Sequence, residues 1–274
     1  MAGPVAYLEY DPPELPKRIA QKVVITLNIG NYEPAIRALT IPLMQAYARK
    51  IRAEFVEITE RKHPDWPIVM EKFQVAEIAK SYGAEWAIFF DADALINPEF
   101  FDVTVHMKKD TVLFNGRDVS GIRSYPDKYF LRDGRSIGAC DWFAISSDWC
   151  YEDLYRFPEG RLEDHLANIF PSNQETQSGC FKDHHLIDDY TLSRNIARFG
   201  LKHDTAIDIC GRLGFRNLQT GQGANVFLFH LYNISAEEKL NRMLAHLSTA
   251  PEQGGWGIMK PKDVLEFKAK WGVK

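Results

Sequence analysis

The run Trp86-Ala-Ile-Phe-Phe-Asp-Ala-Asp-Ala-Leu-Ile-Asn-Pro98 constrains this chain more than any other stretch. Ala87 to Phe90 shows no polar alternation, so it reads as a strand buried on both faces, as in the middle of a parallel sheet. The apolar run stops at two aspartates, Asp91 and Asp93, separated by Ala92. Side chains two residues apart on a strand point the same way, so both carboxylates are expected to face one point beyond the strand's C-terminal end. Open α/β sheets place their ligands there. Two hard oxygen donors suit Mg²⁺ or Mn²⁺, and such an ion suits a diphosphate. Asn97-Pro98 then turns the chain away. The alternative reading is a pair of loop-capping aspartates that bind nothing.

The residues before this strand set its context. Lys22 to Leu27 is an apolar run of strand length that gives way to Asn28-Ile-Gly-Asn-Tyr32, and Pro34 is placed to open a helix. From Glu33 to Ile51 apolar residues recur near helical spacing, with Pro42 predicting a kink or two short helices. Ala53 to Ile58 alternates as a second strand. A helix is expected from about Ile68 to Tyr82, buried along Val69, Phe73, Ala76 and Ala79 and stopped by Gly83. The first hundred residues therefore read β-α-β-α-β, a Rossmann-like nucleotide-binding half without a GxGxxG or Walker motif.

The second half is less regular. Strands are expected at Thr111 to Phe114, Cys140 to Ser147 and Val226 to Phe229. Helices are expected over Tyr151 to Phe170, broken near Phe157 to Gly160, over Leu186 to Phe199, and from Ser235 to His246 with Ser235 as the cap. Gly116 to Gly138 and Pro171 to Asp183 read as polar loops. Residues 1–20 read as an arm.

Composition narrows the function classes. At 45% hydrophobic and 26% charged the chain has ample core material. A net charge of -4 and pI near 6.1 give no general electrostatic grip on nucleic acid. No apolar run reaches bilayer length, and the N-terminus lacks a basic-then-apolar signal pattern. Cys140, Cys150, Cys180 and Cys210 form no CxxC pair, which favours reduced thiols and a cytoplasmic setting, with a Cys140 to Cys150 bridge left open.

With its setting at the end of a buried strand and before Asn97-Pro98, the Asp91-Ala92-Asp93 triplet resembles the Asp-X-Asp motif of GT-A glycosyltransferases. The block is similar to the glycogenin-like and lipopolysaccharide galactosyltransferase family and to the xylosyl/galactosyltransferase family, with looser likeness from about Val23 to His230. The resemblance implies an α/β GT-A fold, a mostly parallel central sheet with flanking helices. It implies one catalytic domain over 1–274: a nucleotide-binding half at about 20–110, an acceptor-side half at about 111–234 and a helical tail at 235–274. It also implies a UDP- or GDP-sugar donor, a glycan or other hydroxyl acceptor and Mn²⁺ (or Mg²⁺), and it leans towards retention of stereochemistry.

Site residues follow on the same basis. Asp91 and Asp93 are expected as metal ligands, with His230, which ends the last apolar run, as the third; a lone histidine there is otherwise a core residue. Thr26, Asn28 and Tyr32 are carried over as nucleotide contacts, against turn chemistry and core packing as the plainer readings. Lys72 is expected at the donor, against a solvated helix face, and Asp91 and Ala92 at the ribose or phosphates. Asp188 and Asp189 are expected beside donor sugar and acceptor as catalytic carboxylates that orient the acceptor hydroxyl, stabilise oxocarbenium character or act as general base, or as acids favouring a helix N-terminus. Tyr190 stands where the resembled families often have Gln. Asp141, Trp142, Arg117 and Asp118 are acceptor-side candidates, and Lys239 is read either as a phosphate contact or as a solvated helix lysine. A sugar-nucleotide nucleotidyltransferase and a non-catalytic nucleotide-sugar or glycan binder are the rival readings.

Overall fold

A computed structural model of the chain describes residues 21–116, 142–167, 187–215, 226–231 and 234–273. The expected arm over 1–20, the polar loops from Arg117 onward and over Pro171 to Asp183, and the candidates Arg117, Asp118 and Asp141 lie outside them, as do Cys140 and Cys180.

The elements run β1 (Lys22–Leu27), α1 (Pro34–Lys50), β2 (Glu54–Ile58), a 3-10 helix (Ile68–Gln74), α2 (Val75–Ser81), β3 (Trp86–Phe90), β4 (Leu95–Ile96), a short 3-10 turn (Val103–His106) and β5 (Thr111–Phe114). They continue with β6 (Phe143–Ser147), α3 (Tyr151–Leu154), α4 (Leu162–Leu166), α5 (Ile187–Phe199), β7 (Lys202–Thr205), α6 (Ala206–Arg212), β8 (Leu228–Phe229), α7 (Ala236–Ser248) and α8 (Pro261–Trp271). Six strands form one sheet in the order β2-β1-β3-β6-β5-β7. β1 pairs parallel with β2 and β3, and β5 parallel with β7; β6 alone runs against its neighbours. The fold is thus the α/β architecture expected of a GT-A fold, a mostly parallel central sheet flanked by helices.

The unbroken apolar runs have the cause read from the sequence, for both sheet faces are covered. Val23, Ile25, Ala87 and Phe89 pack on one side with residues of the 3-10 helix, α2, α3 and α5. Val24, Ile88, Phe90, Phe143 and Ile145 pack on the other with Met44 and Tyr47 of α1 and Ile209 of α6. Among the described residues, no helix is long and apolar enough to cross a membrane.

Several expectations need correcting. The helix around Pro42 is one continuous element rather than two short helices, with Pro34 in its first turn. The expected helix from Ile68 begins instead as 3-10, which turns Glu71 and Lys72 inward beside Met70 and Phe73. Glu71 is fully buried and accepts from the backbone N–H groups of Lys62 and His63 and from Gln74, so it fixes the preceding turn. The last apolar strand shrinks to two residues and leaves the central sheet, pairing antiparallel with β4 instead. β7, α6 and α8 carried no clear signal, because β7 reads Lys-His-Asp-Thr on the sheet's edge, α6 is short and α8 buries none of its residues.

The tail is tied down. Ser235 caps α7, accepting from the N–H of Glu238. Leu240, Met243, Leu244 and Leu247 bury their side chains with Ile36 and Leu39 of α1, Leu95 and Trp256. His246 of α7 stacks on Phe229, ring centroids 4.1 Å apart, and meets Trp256 edge-on. Burial lowers its pKa from 6.5 to about 4. The neutral ring therefore contributes stability that is complete above pH 6.5 and is lost as pH falls towards 4, about 3 kcal/mol in total. Replacing His246 by phenylalanine keeps the stack and should flatten that limb of the stability curve, measured by denaturant unfolding between pH 7 and pH 4. An unchanged acid limb would refute this assignment.

Candidate active site

Three elements meet at the C-terminal ends of β1 and β3. β3 stops at Phe90, so strand alternation does not aim the two aspartates as the sequence predicts. A turn does it, closed by the N–H of Ala94 donating to the carbonyl of Asp91 at 3.0 Å. Thr40 of α1 donates to the carbonyl of Ala92 at 2.5 Å and pins the middle of the turn. The carbonyl of Trp142, just before β6, accepts from the N–H of Asp91 at 2.8 Å.

The two-stranded ribbon brings in the histidine. Pairing of Leu95 with Phe229 sets His230 beside the aspartate turn, although the two lie far apart in sequence. Its Nε2 is 3.3 Å from Oδ1 of Asp93. Trp142 lies under the imidazole, rings 5.0 Å apart and 19° from parallel, and fixes its plane. Trp142, expected on the acceptor side, is buried against His230. Asp91, Asp93 and His230 each offer one ligand atom, and these atoms lie within 4.8 Å of one another. Two carboxylate oxygens and one imidazole nitrogen fit Mn²⁺ or Mg²⁺, and Mn²⁺ tolerates the nitrogen better. The same pocket already draws cations, since ammonium groups from two lysines stand against the two carboxylates.

Lys72 is the first of these. It is almost wholly buried, with its Nζ 2.6 Å from Oδ2 of Asp188 and 3.5 Å from Oδ1 of Asp91. It is not on a solvated face; it is a buried bridge between a metal-ligand candidate and α5. The second is Lys239 of α7, whose ammonium pairs with Oδ2 of Asp93. The solvated-helix reading of Lys239 fails for the same reason, because its side chain is only 9% exposed.

The charges separate the two aspartates. Desolvation raises the pKa of Asp91, and Asp93 and Asp188 add to it against Lys72 and His230. At Asp93 desolvation also raises, but the hydrogen bonds and charges of His230 and Lys239 outweigh it and hold this carboxylate well below the usual range. Asp93 is therefore the fixed negative charge of the site.

The first strand supplies the remaining wall. Gly30, Asn31 and Glu33 all have left-handed backbone in the turn after β1. A backbone costly for Glu33 persists only where its surroundings enforce it, a pattern common at ligand sites. Tyr32 leaves its ring half exposed and donates its hydroxyl to Oδ2 of Asp93 at 3.2 Å. Asn28 donates to Glu57 at 2.5 Å, and Glu57 also faces Arg37 at 3.9 Å. Thr26 is fully buried between Glu57 and Phe90 in register, and among the described residues its hydroxyl has no hydrogen-bond partner. Asp188 is buried on the Lys72 bridge, and Asp189 follows it in the first turn of α5. The structure thus gathers Tyr32, Lys72, Asp91, Ala92, Asp93, Asp188 and His230 around one locus, with Thr26 and Asn28 on the adjoining strand end. Sequence reasoning missed Glu57 and Arg37, which carry no motif, and the contact of Lys239 with Asp93.

No family model matches the sequence, and no curated protein matches it. Two of the solved structures to which the chain is similar are glycosyltransferases. One is a glycosyltransferase involved in glycosylation of the major capsid of PBCV-1, with TM-score 0.44 and 13% identity, covering 81% of this chain and 97% of that one. The other is a mutant of Drosophila β-1,4-galactosyltransferase 7 in complex with manganese, UDP-Gal and xylobiose, with TM-score 0.39 and 10% identity, covering 77% of this chain and 71% of that one. At such values no shared activity follows, and the functional reading rests on the site itself.

Proposed function

We propose that this chain is a metal-dependent glycosyltransferase that moves a sugar from a UDP- or GDP-sugar to a hydroxyl of a glycan or another acceptor, acting as one catalytic domain in a cytoplasmic setting. The observation that carries the reading is the convergence of Asp91, Asp93 and His230 beyond β3, at the ligand-binding edge of an α/β sheet. When bound there, Mn²⁺ would neutralise charge on a departing diphosphate as a Lewis acid.

The chain's own residues do the rest. Asp93 supplies a permanent negative charge, and Trp142 holds the imidazole of His230 in plane. The turn from Asn28 to Tyr32 faces the same locus and offers an exposed aromatic ring to a base. Lys72 stands between Asp91 and Asp188, so an ammonium faces both carboxylates beside the site. A buried carboxylate clamped by an ammonium is a poor proton acceptor but stabilises positive charge near an anomeric carbon. That favours retention. Asp189 remains the candidate for orienting the acceptor hydroxyl.

A panel of UDP- and GDP-sugars incubated with the protein and Mn²⁺ tests this. The expected result is slow release of UDP or GDP from one donor class, stopped by a chelator. Turnover that requires pyrophosphate, or binding without any release, would contradict it.

A further inference from the structure

Asp93 has both oxygens engaged. His230 stands at Oδ1, while Lys239 and the Tyr32 hydroxyl share Oδ2. Asp91, by contrast, meets Lys72 only at 3.5 Å and keeps 28% of its side chain exposed. A divalent ion bound by both aspartates would therefore find one open ligand and one occupied by a cation. Lys239 is no wandering surface group. It lies in the first turn of α7, its N–H donating to the carbonyl of Ser235 at 2.8 Å, and the next residue, Leu240, is buried against α1.

We propose that Lys239 is a resident counter-cation that competes with the metal for Asp93, so that metal and nucleoside diphosphate bind well only together. The inference rests on the metal-site reading above. An ammonium and a divalent ion repel each other at one carboxylate, so entry of the ion requires the ammonium to leave Oδ2. A buried ammonium that leaves a carboxylate needs another anion. A diphosphate arriving with the ion supplies one, and the ion in turn regains Asp93. Each ligand thereby removes the cost of binding the other, and the coupling is reciprocal by linkage.

The test uses the full chain, Mn²⁺ alone and UDP or GDP, with binding read from the loss of the free Mn²⁺ magnetic-resonance signal. In the unmodified protein, Mn²⁺ alone should bind weakly, and the nucleotide should tighten it at least about tenfold, since an adjacent charge changes carboxylate occupancy by factors of that size. Lys239→Met should tighten Mn²⁺ binding without nucleotide by about tenfold and shrink the nucleotide effect, whereas Lys239→Arg should keep metal binding weak. The rise in melting temperature on adding Mn²⁺ should likewise be larger for Lys239→Met, and Lys239→Gln serves if the methionine variant does not fold. Mn²⁺ binding that is unchanged or weaker in both neutral variants, or absent from every protein, overturns the proposal. The transferase reading fails separately: Lys239→Met that tightens Mn²⁺ while no donor is hydrolysed leaves the counter-cation standing and removes the enzyme.

Discussion

Replacing Asp93 by asparagine should lower Mn²⁺-dependent release of nucleoside diphosphate by about 10² to 10³ at saturating donor, the scale on which removal of one transition-state electrostatic group is felt. Asp93 is the strongest fixed negative charge of the site, since His230 and Lys239 together hold it ionised. An amide cannot replace a carboxylate as a hard anionic ligand, so the ion loses one of its two charged anchors. Asparagine keeps an oxygen for the Tyr32 hydroxyl but leaves the Lys239 ammonium without an anion, so the melting temperature should fall along with the rate. Steady-state rates and melting curves measured together separate the two effects. A near-normal rate in a folded Asp93→Asn protein would remove Asp93 from the chemistry.

The second large effect is on stability. Lys72→Met should cost about 3–5 kcal/mol, because it leaves Asp188 and Asp91 without their shared buried cation. Denaturant unfolding should show the midpoint shift with little change in slope. Adding Asp188→Asn to Lys72→Met should restore part of the loss, since the charge left uncompensated is then gone. Strong non-additivity of this kind marks residues in direct contact. Simple addition of the two penalties would show that the bridge contributes little.

The legible part of the fold was the part whose burial leaves a pattern in the chain. β1 and β3 lie between two helical layers, so every residue from Val23 to Ile25 and from Ala87 to Phe90 is apolar and buried, and the sequence shows it as unbroken runs. The aspartate pair and His230 were visible because they interrupt such runs. The reversed direction of β6 was not, because an antiparallel strand buried on both faces has the same composition as a parallel one. β8 could not be assigned to its own ribbon, since two residues carry no period. The solvated-face alternative for Lys72 came from applying helical spacing to a 3-10 turn, where three residues per turn rotate it inward. Lys239 did leave a signal that went unread: it is four residues before Met243 and beside Leu240, on the apolar stripe of α7, where a lysine needs an anion. Lys239 and Asp93 lie 146 positions apart, and only the fold brings them together.

Crystals soaked with Mn²⁺ and UDP and measured at the manganese absorption edge test the central claim most directly. One anomalous peak is expected beyond β3, within about 2–2.6 Å of a carboxylate oxygen from each of Asp91 and Asp93 and near the imidazole nitrogen of His230, with the diphosphate on its open side. Bound UDP with no manganese at that position, and Asp93 still paired with Lys239, would contradict the account.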